Sequence, residues 1–452
     1  MIWLALLFTA AAGWVLLRPW LRSGPVIGLC VGFTAGAAAL SLQLLLYDLA
    51  RIPWRRWTVL GPWVVAFGVF LYKRRPARPR WRWPQPMELA ALAFAVVALM
   101  AWVPYERLMP LNEWDAVMLW MFKGKAFYLD GGVAPYLRRA QEFLANPAYP
   151  LLVPLYSTFL YICVGAPADH AAKLLSPCFF ASLLGGFYYL LRRFGSRPVA
   201  AVFTAMLLGV YMLSFVAFHY AGYADTAVTA AIVLGAGFLY AWWREEHHAD
   251  FALAALFASI AAWGKNEGQF FLAGAGALAA GRLLWRRQWN WRLWTRLAVF
   301  PLLAVAPWVA ARGLYGIRRP GQLSTEIVQT NVASYLPTLK ALIEHAFAPS
   351  VFNLAFPMLL LAVALHRRAG LDAKFLLLPA LVAWQMLGVA WVYITGPISL
   401  QWMIGSSLDR VLSQIVPLAL LSAAVVFASY YDRAEARLAA PAPPAKAKKR
   451  VR

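Results

Sequence analysis

Charged residues are scarce in this sequence, and acidic residues are the scarcest of them. Aspartate and glutamate together number 19 among 452 residues. All charged residues make up 13%, against about 25% in an ordinary soluble domain. Hydrophobic residues make up 62%, and the mean hydropathy is +0.61. These proportions argue against a water-soluble enzyme and favour a protein of the lipid bilayer.

Cysteine is scarce as well. Cys30, Cys163 and Cys178 all lie in apolar stretches without a Cys-x-x-Cys or Cys/His spacing. We therefore expect neither a disulfide framework nor a zinc site. The phosphate-binding motifs GxxxxGK[ST] and GxGxxG are missing, so P-loop and dinucleotide chemistry lack sequence support.

Basic residues, in contrast, are in excess. The 42 Lys and Arg residues give a formal net charge of +23 at pH 7. In a soluble protein this charge would indicate binding to nucleic acid. In a membrane protein, basic residues concentrate on the cytoplasmic side, where they fix the orientation of the chain and contact anionic lipid. We therefore expect membrane lipid and no nucleic acid as a partner. The apolar segment 2–17 has no basic region before it, so we expect a retained span rather than a cleaved signal peptide.

Long apolar runs predict an all-α polytopic membrane protein with about thirteen transmembrane helices, because about 20 apolar residues cross the hydrocarbon core. The predicted spans are residues 2–17, 25–46, 58–72, 87–103, 171–191, 198–218, 227–243, 251–263, 269–284, 297–311, 351–366, 375–394 and 411–428.

The segments between these spans are of two kinds. Short basic segments are predicted to be cytoplasmic: 73–82, 192–197, 286–296, 367–374 and the C-terminal tail. Longer segments with carboxylates and aromatic residues are predicted to face outward: 104–170, 219–225, 264–268, 311–350 and 395–410. Arg51, Arg55 and Arg56 are the exception, because they fall on the outward side of this topology.

The apolar stretch 149–164 is left out of the spans. Segments 73–82 and 192–197 can both be cytoplasmic only if an even number of spans separates them, and 87–103 and 171–191 already supply two. The stretch is short and contains Pro150 and Pro154. We therefore expect an outward-facing interfacial or re-entrant helix inside a long helical loop at 104–170. Loops of this length are usually functional.

Three acidic residues lie at the outward ends of predicted spans among aromatic and apolar side chains. Asp115 suits a general base that takes a proton from a hydroxyl, although an interfacial Asp that caps a helix has the same pattern. Asp225 precedes a helix that begins with small residues and is equally an N-cap candidate. Glu267 follows Lys265 in a turn between two short helices, where these charges either satisfy one another or border a cavity for a lipid-borne headgroup.

Basic residues on the predicted outward side run against the positive-inside bias. Two of them could clamp a phosphate through charge-assisted hydrogen bonds, although a solvated charge is the simpler interpretation of any single one. The set comprises Lys123, Lys125, Arg138, Arg139, Lys173, Arg312, Arg318, Arg319, Lys340 and Arg410.

Six segments, in this order, resemble the GT-C glycosyltransferases of the protein O-mannosyltransferase and lipid A aminoarabinose transferase superfamily. They are Asp115 at the start of the first long outward loop, YPLLVPLY, HAAKLLSPCFFASLLGGFYYLLRRFG, YADTAVTAA, AAWGKNEGQFFLAG and SLDRVLSQIVPLAL. The resemblance implies a GT-C architecture and a transmembrane catalytic domain at 87–428, with outward loops at 104–170 and 311–350. Residues 1–86 would be additional N-terminal transmembrane helices, and residues 429–452 a basic disordered cytoplasmic tail.

The resemblance also implies roles for individual residues. Asp115 matches the catalytic acidic residue that acts as base towards the acceptor, where the family often has an Asp-Glu pair and Glu113 is the nearby second acid. Further matches, implied in the same way, are Tyr149, Pro150 and Pro154 at an interfacial helix beside the active site, Asp225 at a second acidic motif, and the cations Lys173, Lys265 and Arg410. Together with the outward lysines Lys123 and Lys125, these three cations are the predicted donor phosphate-binding residues. Glu267 would belong with Asp225 and Glu113 in a second acidic, acceptor or metal site.

The activity implied is transfer of a sugar from a polyprenyl-phosphate-linked donor to a glycolipid, cell-envelope glycan or protein acceptor. The protein would be a multi-pass inner (plasma) membrane enzyme with its active site on the periplasmic or exterior side and a cytoplasmic C-terminus. No cofactor is required by this chemistry, and a divalent cation stays open because family members differ. The alternatives from the residues alone are a transporter or flippase, whose charged sites lie near the membrane midplane, and a non-catalytic scaffold.

Overall fold

The computed structural model describes residues 1–73, 84–111, 113–139, 146–213, 221–317, 332–348, 352, 354–396 and 399–439. These residues form helices and connecting turns, with no β-strand among them. The α-helices are α1 (Ile2–Leu17), α2 (Pro25–Leu49), α3 (Arg56–Lys73), α4 (Pro86–Leu108), α5 (Phe122–Asp130), α6 (Ala134–Arg138), α7 (Leu152–Val164), α8 (Asp169–Ala172), α9 (Leu175–Phe194), α10 (Arg197–Leu213), α11 (Asp225–Glu245), α12 (His248–Gly264), α13 (Asn266–Trp285), α14 (Trp291–Leu314), α15 (Tyr335–Ala346), α16 (Ala355–Leu365), α17 (Leu377–Thr395), α18 (Leu400–Ser413) and α19 (Val416–Ala439).

Seven helical stretches among the described residues are long and apolar enough to cross a bilayer. They are Pro25–Leu49, Pro86–Leu108, Asp169–Phe194, Asp225–Glu245, Trp291–Leu314, Ala373–Thr395 and Leu400–Ala439. The prediction of an all-α, multi-pass membrane protein is thereby confirmed. Each of the thirteen predicted spans overlaps a helix, but several of these helices are short. The count of about thirteen spans stays a prediction.

Burial separates central helices from peripheral ones. In α11 every residue from Asp225 to Trp242 is buried, whereas α4 and α14 bury only a small part of their length. Their exposed side chains are large and apolar, for example Val97 and Met100 on α4 and Leu302 on α14. Because apolar surface of this extent is unfavourable in water, these two helices have the character of lipid-facing walls.

The first two helices pack closely through glycines. A Cβ atom added at Gly13 would lie 1.7 Å from the carbonyl oxygen of Gly32, and one added at Gly36 would lie 2.0 Å from that of Thr9. Small residues at such positions let two helix backbones approach. The α2 helix also joins the rest of the protein, since Thr34 donates a hydrogen bond to Ser182 over 2.8 Å. Residues 1–49 are therefore an integral layer of the helical body.

The segment predicted as a long helical loop consists, in its described residues, of helices joined by short turns. A π-helical turn, Ala116–Met121, leads into α5, α6 and α7. Helix α7 begins at Leu152 and ends at Val164, and the residue that follows it, Gly165, has a φ of 92°, a conformation that favours glycine. All its residues except the last are buried. Helix α7 is therefore packed inside the helical body, and its interfacial or re-entrant position in the membrane stays a prediction.

The C-terminal helix is longer than expected. Residues 429–452 were predicted to be disordered, but α19 continues to Ala439. That prediction is wrong for residues 429–439, because the run YDRAEARLA is rich in strong helix formers and extends the apolar helix before it. Residues 440–452 lie outside the described residues.

Candidate active site

Five predicted site residues from four separate parts of the chain meet at one place. Asp115 directly precedes the π-helical turn. Asp225 is the first residue of α11, and Lys265 is the extended residue between α12 and α13. Glu267 lies in the first turn of α13, and Arg410 lies in the last turn of α18. We call these five residues the charge cluster.

The buried side of the charge cluster is built around one carboxylate oxygen. Asp225 Oδ1 accepts hydrogen bonds from Lys265 Nζ at 3.1 Å and from Gln414 Nε2 at 2.6 Å, and Arg410 Nε lies 3.9 Å away. The side chains of Asp225 and Lys265 are only 6% and 4% exposed. Partners of opposite charge offset the desolvation of groups buried to this degree.

Lys265 lies between two carboxylates. Its ammonium group is 2.7 Å from Glu267 Oε1 as well as 3.1 Å from Asp225 Oδ1. Burial alone would lower the pKa of Lys265, but the two carboxylates raise it above its ordinary value. Lys265 is therefore a permanent cation in this environment.

The accessible side of the charge cluster is formed by Asp115 and Arg410. Arg410 Nη1 donates a hydrogen bond to Asp115 Oδ2 over 2.5 Å. The guanidinium carbon lies 4.7 Å from the ring centroid of Tyr223, a cation–π contact. Asp115 is 25% exposed, twice the 12% of Arg410. The cluster therefore opens at Asp115 and closes towards Asp225.

Two tyrosines border the charge cluster. Burial, and next the carboxylate of Glu267, raise the pKa of Tyr149 to about 12, and the ring lies 5.4 Å from that of Trp120. Burial also raises the pKa of Tyr223, and the nearby carboxylates of Asp115 and Glu113 act in the same direction. Glu113 is thus close to the site. Both phenols stay protonated near neutral pH and are able to donate hydrogen bonds.

The other predicted phosphate-binding lysines have different partners. Lys173 donates a hydrogen bond to the carbonyl of Met109 and lies 3.9 Å from Glu106 Oε2, both groups being almost fully buried. Lys125 lies 3.7 Å from Asp169, and both side chains are more than 40% exposed. The described contacts place neither lysine against the charge cluster.

Lys123 is the most deeply buried of the predicted cations. Its side chain is fully buried and donates a hydrogen bond to the carbonyl of Asn146 over 2.7 Å. Burial lowers the pKa of Lys123 to about 7. A cation in this position is a poor match to the solvated outward charge that the sequence predicts. Arg318 and Arg319, also predicted outward cations, lie outside the described residues.

Two polar residues near these sites escape the sequence analysis. Gln414 carries no charge, so the scarcity of charged residues does not single it out. Glu106 lies in α4, three residues beyond the predicted span 87–103, and accepts a hydrogen bond from Trp102 Nε1 over 2.6 Å. An acidic residue at the end of an apolar run is a detectable signal, and the scarcity argument could have found Glu106.

The cluster does not have the composition of a metal centre. Among the described residues, no group of three His, Cys, Asp or Glu side chains is placed to hold a metal ion. Asp225 and Glu267 share one cation, because the ammonium group of Lys265 lies within 3.1 Å of an oxygen of each.

No protein family, no curated protein and no solved structure matches the chain.

Proposed function

We propose that this chain is a GT-C-type membrane glycosyltransferase that transfers a sugar from a polyprenyl-phosphate donor at the outer face of the membrane. The acceptor is a glycolipid, a cell-envelope glycan or a protein. The observation that carries the proposal is the charge cluster, in which an accessible carboxylate, Asp115, pairs with Arg410. Arg410 and a second cation, Lys265, both lie within 4 Å of Asp225. A base next to cations is what this transfer requires.

The cations suit the phosphate of such a donor. Arginine and lysine hold phosphate oxygens through charge-assisted hydrogen bonds, and arginine does so with two parallel donors. A leaving phosphate gains negative charge in the transition state, and cations held in place stabilise it.

The carboxylates suit a ligand with several hydroxyl groups. Asp225 Oδ2 and Glu267 Oε2 are buried and accept no hydrogen bond from any residue that the structure describes. A buried acceptor without a donor costs about 1–3 kcal/mol. Sugar hydroxyls are donors of the right kind for both oxygens.

The surroundings suit a lipid-linked donor. A small apolar cavity lies between α11, α12, α13 and α14, and its lining includes Gly235, Ala258 and Leu272. The same helices carry Asp225 and Lys265 at their ends. Ala258 and Leu272 are each seven residues from Lys265, or about 10 Å along a helix, so this apolar space lies deeper in the helical body than the charge cluster. The proposal places the polyprenyl chain along such apolar helix surface and its phosphate at the cluster.

The chemistry is a single displacement with inversion. The acceptor oxygen forms a bond to the anomeric carbon of the sugar as the bond from that carbon to the phosphate oxygen breaks. Asp115 takes the proton of the acceptor hydroxyl, and the bonding electrons leave with the phosphate, which Arg410 and Lys265 stabilise. General-base catalysis of this kind contributes about 10²–10⁴-fold to the rate.

The decisive experiment compares Asp115→Asn with Glu344→Gln. Both variants remove one carboxylate, but Asp115 contacts the cluster cation Arg410, whereas Glu344 pairs with Lys340 at 3.7 Å on the surface of the protein. Each is expressed in a strain that lacks the chain, and its glycolipids and glycans are analysed by mass spectrometry for one missing sugar. We expect Glu344→Gln to restore the sugar and Asp115→Asn to reduce it by at least about 10²-fold. Full restoration by folded Asp115→Asn would refute the assignment of the base.

One feature of the fold favours a second candidate, a transporter or flippase. Lys265 interrupts an apolar run between α12 and α13, and interrupted helices bind substrates in many transporters. A flux assay in proteoliposomes with a labelled polyprenyl-phosphate sugar separates the two. We expect sugar transfer to an added acceptor without net movement of the donor between leaflets.

A further inference from the structure

The proposed base is not free in the structure described here. Asp115 Oδ2 lies 2.5 Å from Arg410 Nη1. Oδ2 thus accepts a charge-assisted hydrogen bond from the guanidinium group. A base held in this way is poorly placed to accept a proton from an acceptor hydroxyl, so the contact has to open before Asp115 can act.

The charge cluster as a whole also resists an incoming anion. Its described members carry three negative charges, on Asp115, Asp225 and Glu267, and two positive charges, on Lys265 and Arg410. Both cations already touch carboxylates. A phosphodiester therefore binds favourably only if one cation exchanges a carboxylate for the phosphate.

The solvent exposure of the two cations indicates which of them exchanges its carboxylate partner for the phosphate. Lys265 is 4% exposed and lies within 3.1 Å of two carboxylates. Arg410 is 12% exposed, and its partner Asp115 is the most exposed carboxylate of the cluster at 25%. The weaker link is thus the pair Arg410–Asp115, because water screens it most. Arg410 also stays 3.9 Å from Asp225, which anchors it when Asp115 is released.

We infer that Arg410 masks Asp115, which means that its hydrogen bond occupies the carboxylate oxygen that would accept the proton. Binding of the guanidinium group to the phosphate of the lipid-linked donor breaks this hydrogen bond and frees the carboxylate. This inference rests on the proposed function and adds an order of events to it. Donor phosphate binds first, Asp115 then becomes available, and the acceptor hydroxyl is deprotonated last. Arg410 is in this way the residue that couples donor recognition to the base.

The test measures binding rather than transfer. Full-length protein in lipid nanodiscs is titrated with polyprenyl phosphate, and the dissociation constant is compared among wild type, Asp115→Asn and Asp409→Asn. Asp409 is the matched control, because it removes the same charge one residue from Arg410 but pairs with His345 at 2.5 Å. We expect Asp115→Asn to bind about tenfold more tightly than wild type, since the competing charge-assisted bond is lost. Asp409→Asn should change the dissociation constant by less than about twofold.

A second comparison assigns the gain to Arg410. In the double variant Asp115→Asn/Arg410→Gln the tenfold gain in affinity for polyprenyl phosphate should vanish, because this gain requires the released guanidinium group. Asp115→Ser serves as a second replacement should Asp115→Asn not give monodisperse protein.

The possible failures are distinct. If Asp115→Asn and Asp409→Asn lower the dissociation constant for polyprenyl phosphate equally, or if neither lowers it, the masking is refuted. The proposed glycosyltransferase function is not affected by either result. If wild type and all variants bind polyprenyl phosphate no better than the uncharged polyprenol, the donor class itself is wrong, and both the masking and the proposed function fail.

Discussion

Lys265 Nζ lies 3.1 Å from Asp225 Oδ1, and neither side chain is more than 6% exposed. This pair ties the first residue of α11 to the break between α12 and α13. Since each charge is buried, each depends on the other. Removal of one partner from such a pair leaves an uncompensated buried charge, which is far more unfavourable than loss of both.

Replacement of Lys265 should therefore be strongly destabilising. We expect Lys265→Met to lower the free energy of unfolding by about 3–5 kcal/mol, because Asp225 stays buried without its ammonium partner. The double variant Lys265→Met/Asp225→Asn should recover part of this loss. The measurement is thermal or denaturant unfolding of the protein in detergent micelles.

The matched control for this prediction is Lys340→Met. Lys340 lies 3.7 Å from Glu344, and both side chains are more than 60% exposed. Surface pairs of this kind contribute about 0–1 kcal/mol. If the single variant Lys265→Met and the double variant have the same free energy of unfolding, the loss of stability comes from packing and not from the unpaired carboxylate.

Lys123 predicts a dependence of stability on pH. Burial lowers the pKa of this lysine to about 7 in the folded protein, against an ordinary value of 10.5. Between these values the unfolded chain binds more protons than the folded one, so stability rises with pH across this window. Below about pH 7 both states are protonated and the penalty of the buried charge is fully present. We expect Lys123→Met to raise the unfolding temperature most at about pH 6.5 and much less at about pH 9.5.

The control for this pH profile is Lys125→Met. Lys125 is on the same short helix but is more than 40% exposed. Its replacement should leave the pH dependence of the unfolding temperature as in wild type. A gain for Lys123→Met that is constant across the pH range would indicate improved packing without any contribution from charge.

Gly36 tests whether the first two helices are an integral part of the protein. A Cβ atom there would lie 2.0 Å from the carbonyl oxygen of Thr9, so Gly36→Val forces α1 and α2 apart. We expect a loss of about 3 kcal/mol, at the upper end of overpacking effects, in the unfolding free energy of the whole chain. Gly68→Ala is the control, because no atom lies within 4 Å of an added Cβ and alanine favours the helix. If Gly36→Val unfolds like wild type, α1 is dispensable to the helical body.

Much of the secondary structure follows from apolar runs alone. The segment predicted at 2–17 coincides with α1, and every other predicted span overlaps a helix. The boundaries differ where polar residues continue a helix beyond its apolar part. The span predicted at 297–311, for example, begins at Trp291, because the basic run before it is compatible with helix.

The charge cluster was partly predictable for a similar reason. Asp115, Asp225, Lys265, Glu267 and Arg410 stand out as charges at the ends of apolar segments. Their pairing was not predictable, since it depends on how helices distant in sequence pack. The burial of individual side chains was not predictable either. Nothing in the local sequence distinguishes Lys123, which is fully buried, from Lys125, which is exposed.

The long sequence separation within the charge cluster has a consequence for biosynthesis. Arg410 follows Asp115 by 295 residues, whereas Lys265 follows Asp225 by only 40. At about 5–20 residues per second, a ribosome needs roughly 15–60 s to progress from Asp115 to Arg410. During that time α11, α12 and α13 are already able to unite Asp225 with its lysine, while Asp115 has no guanidinium partner. Completion of the cluster therefore marks the arrival of the last part of the chain in the membrane.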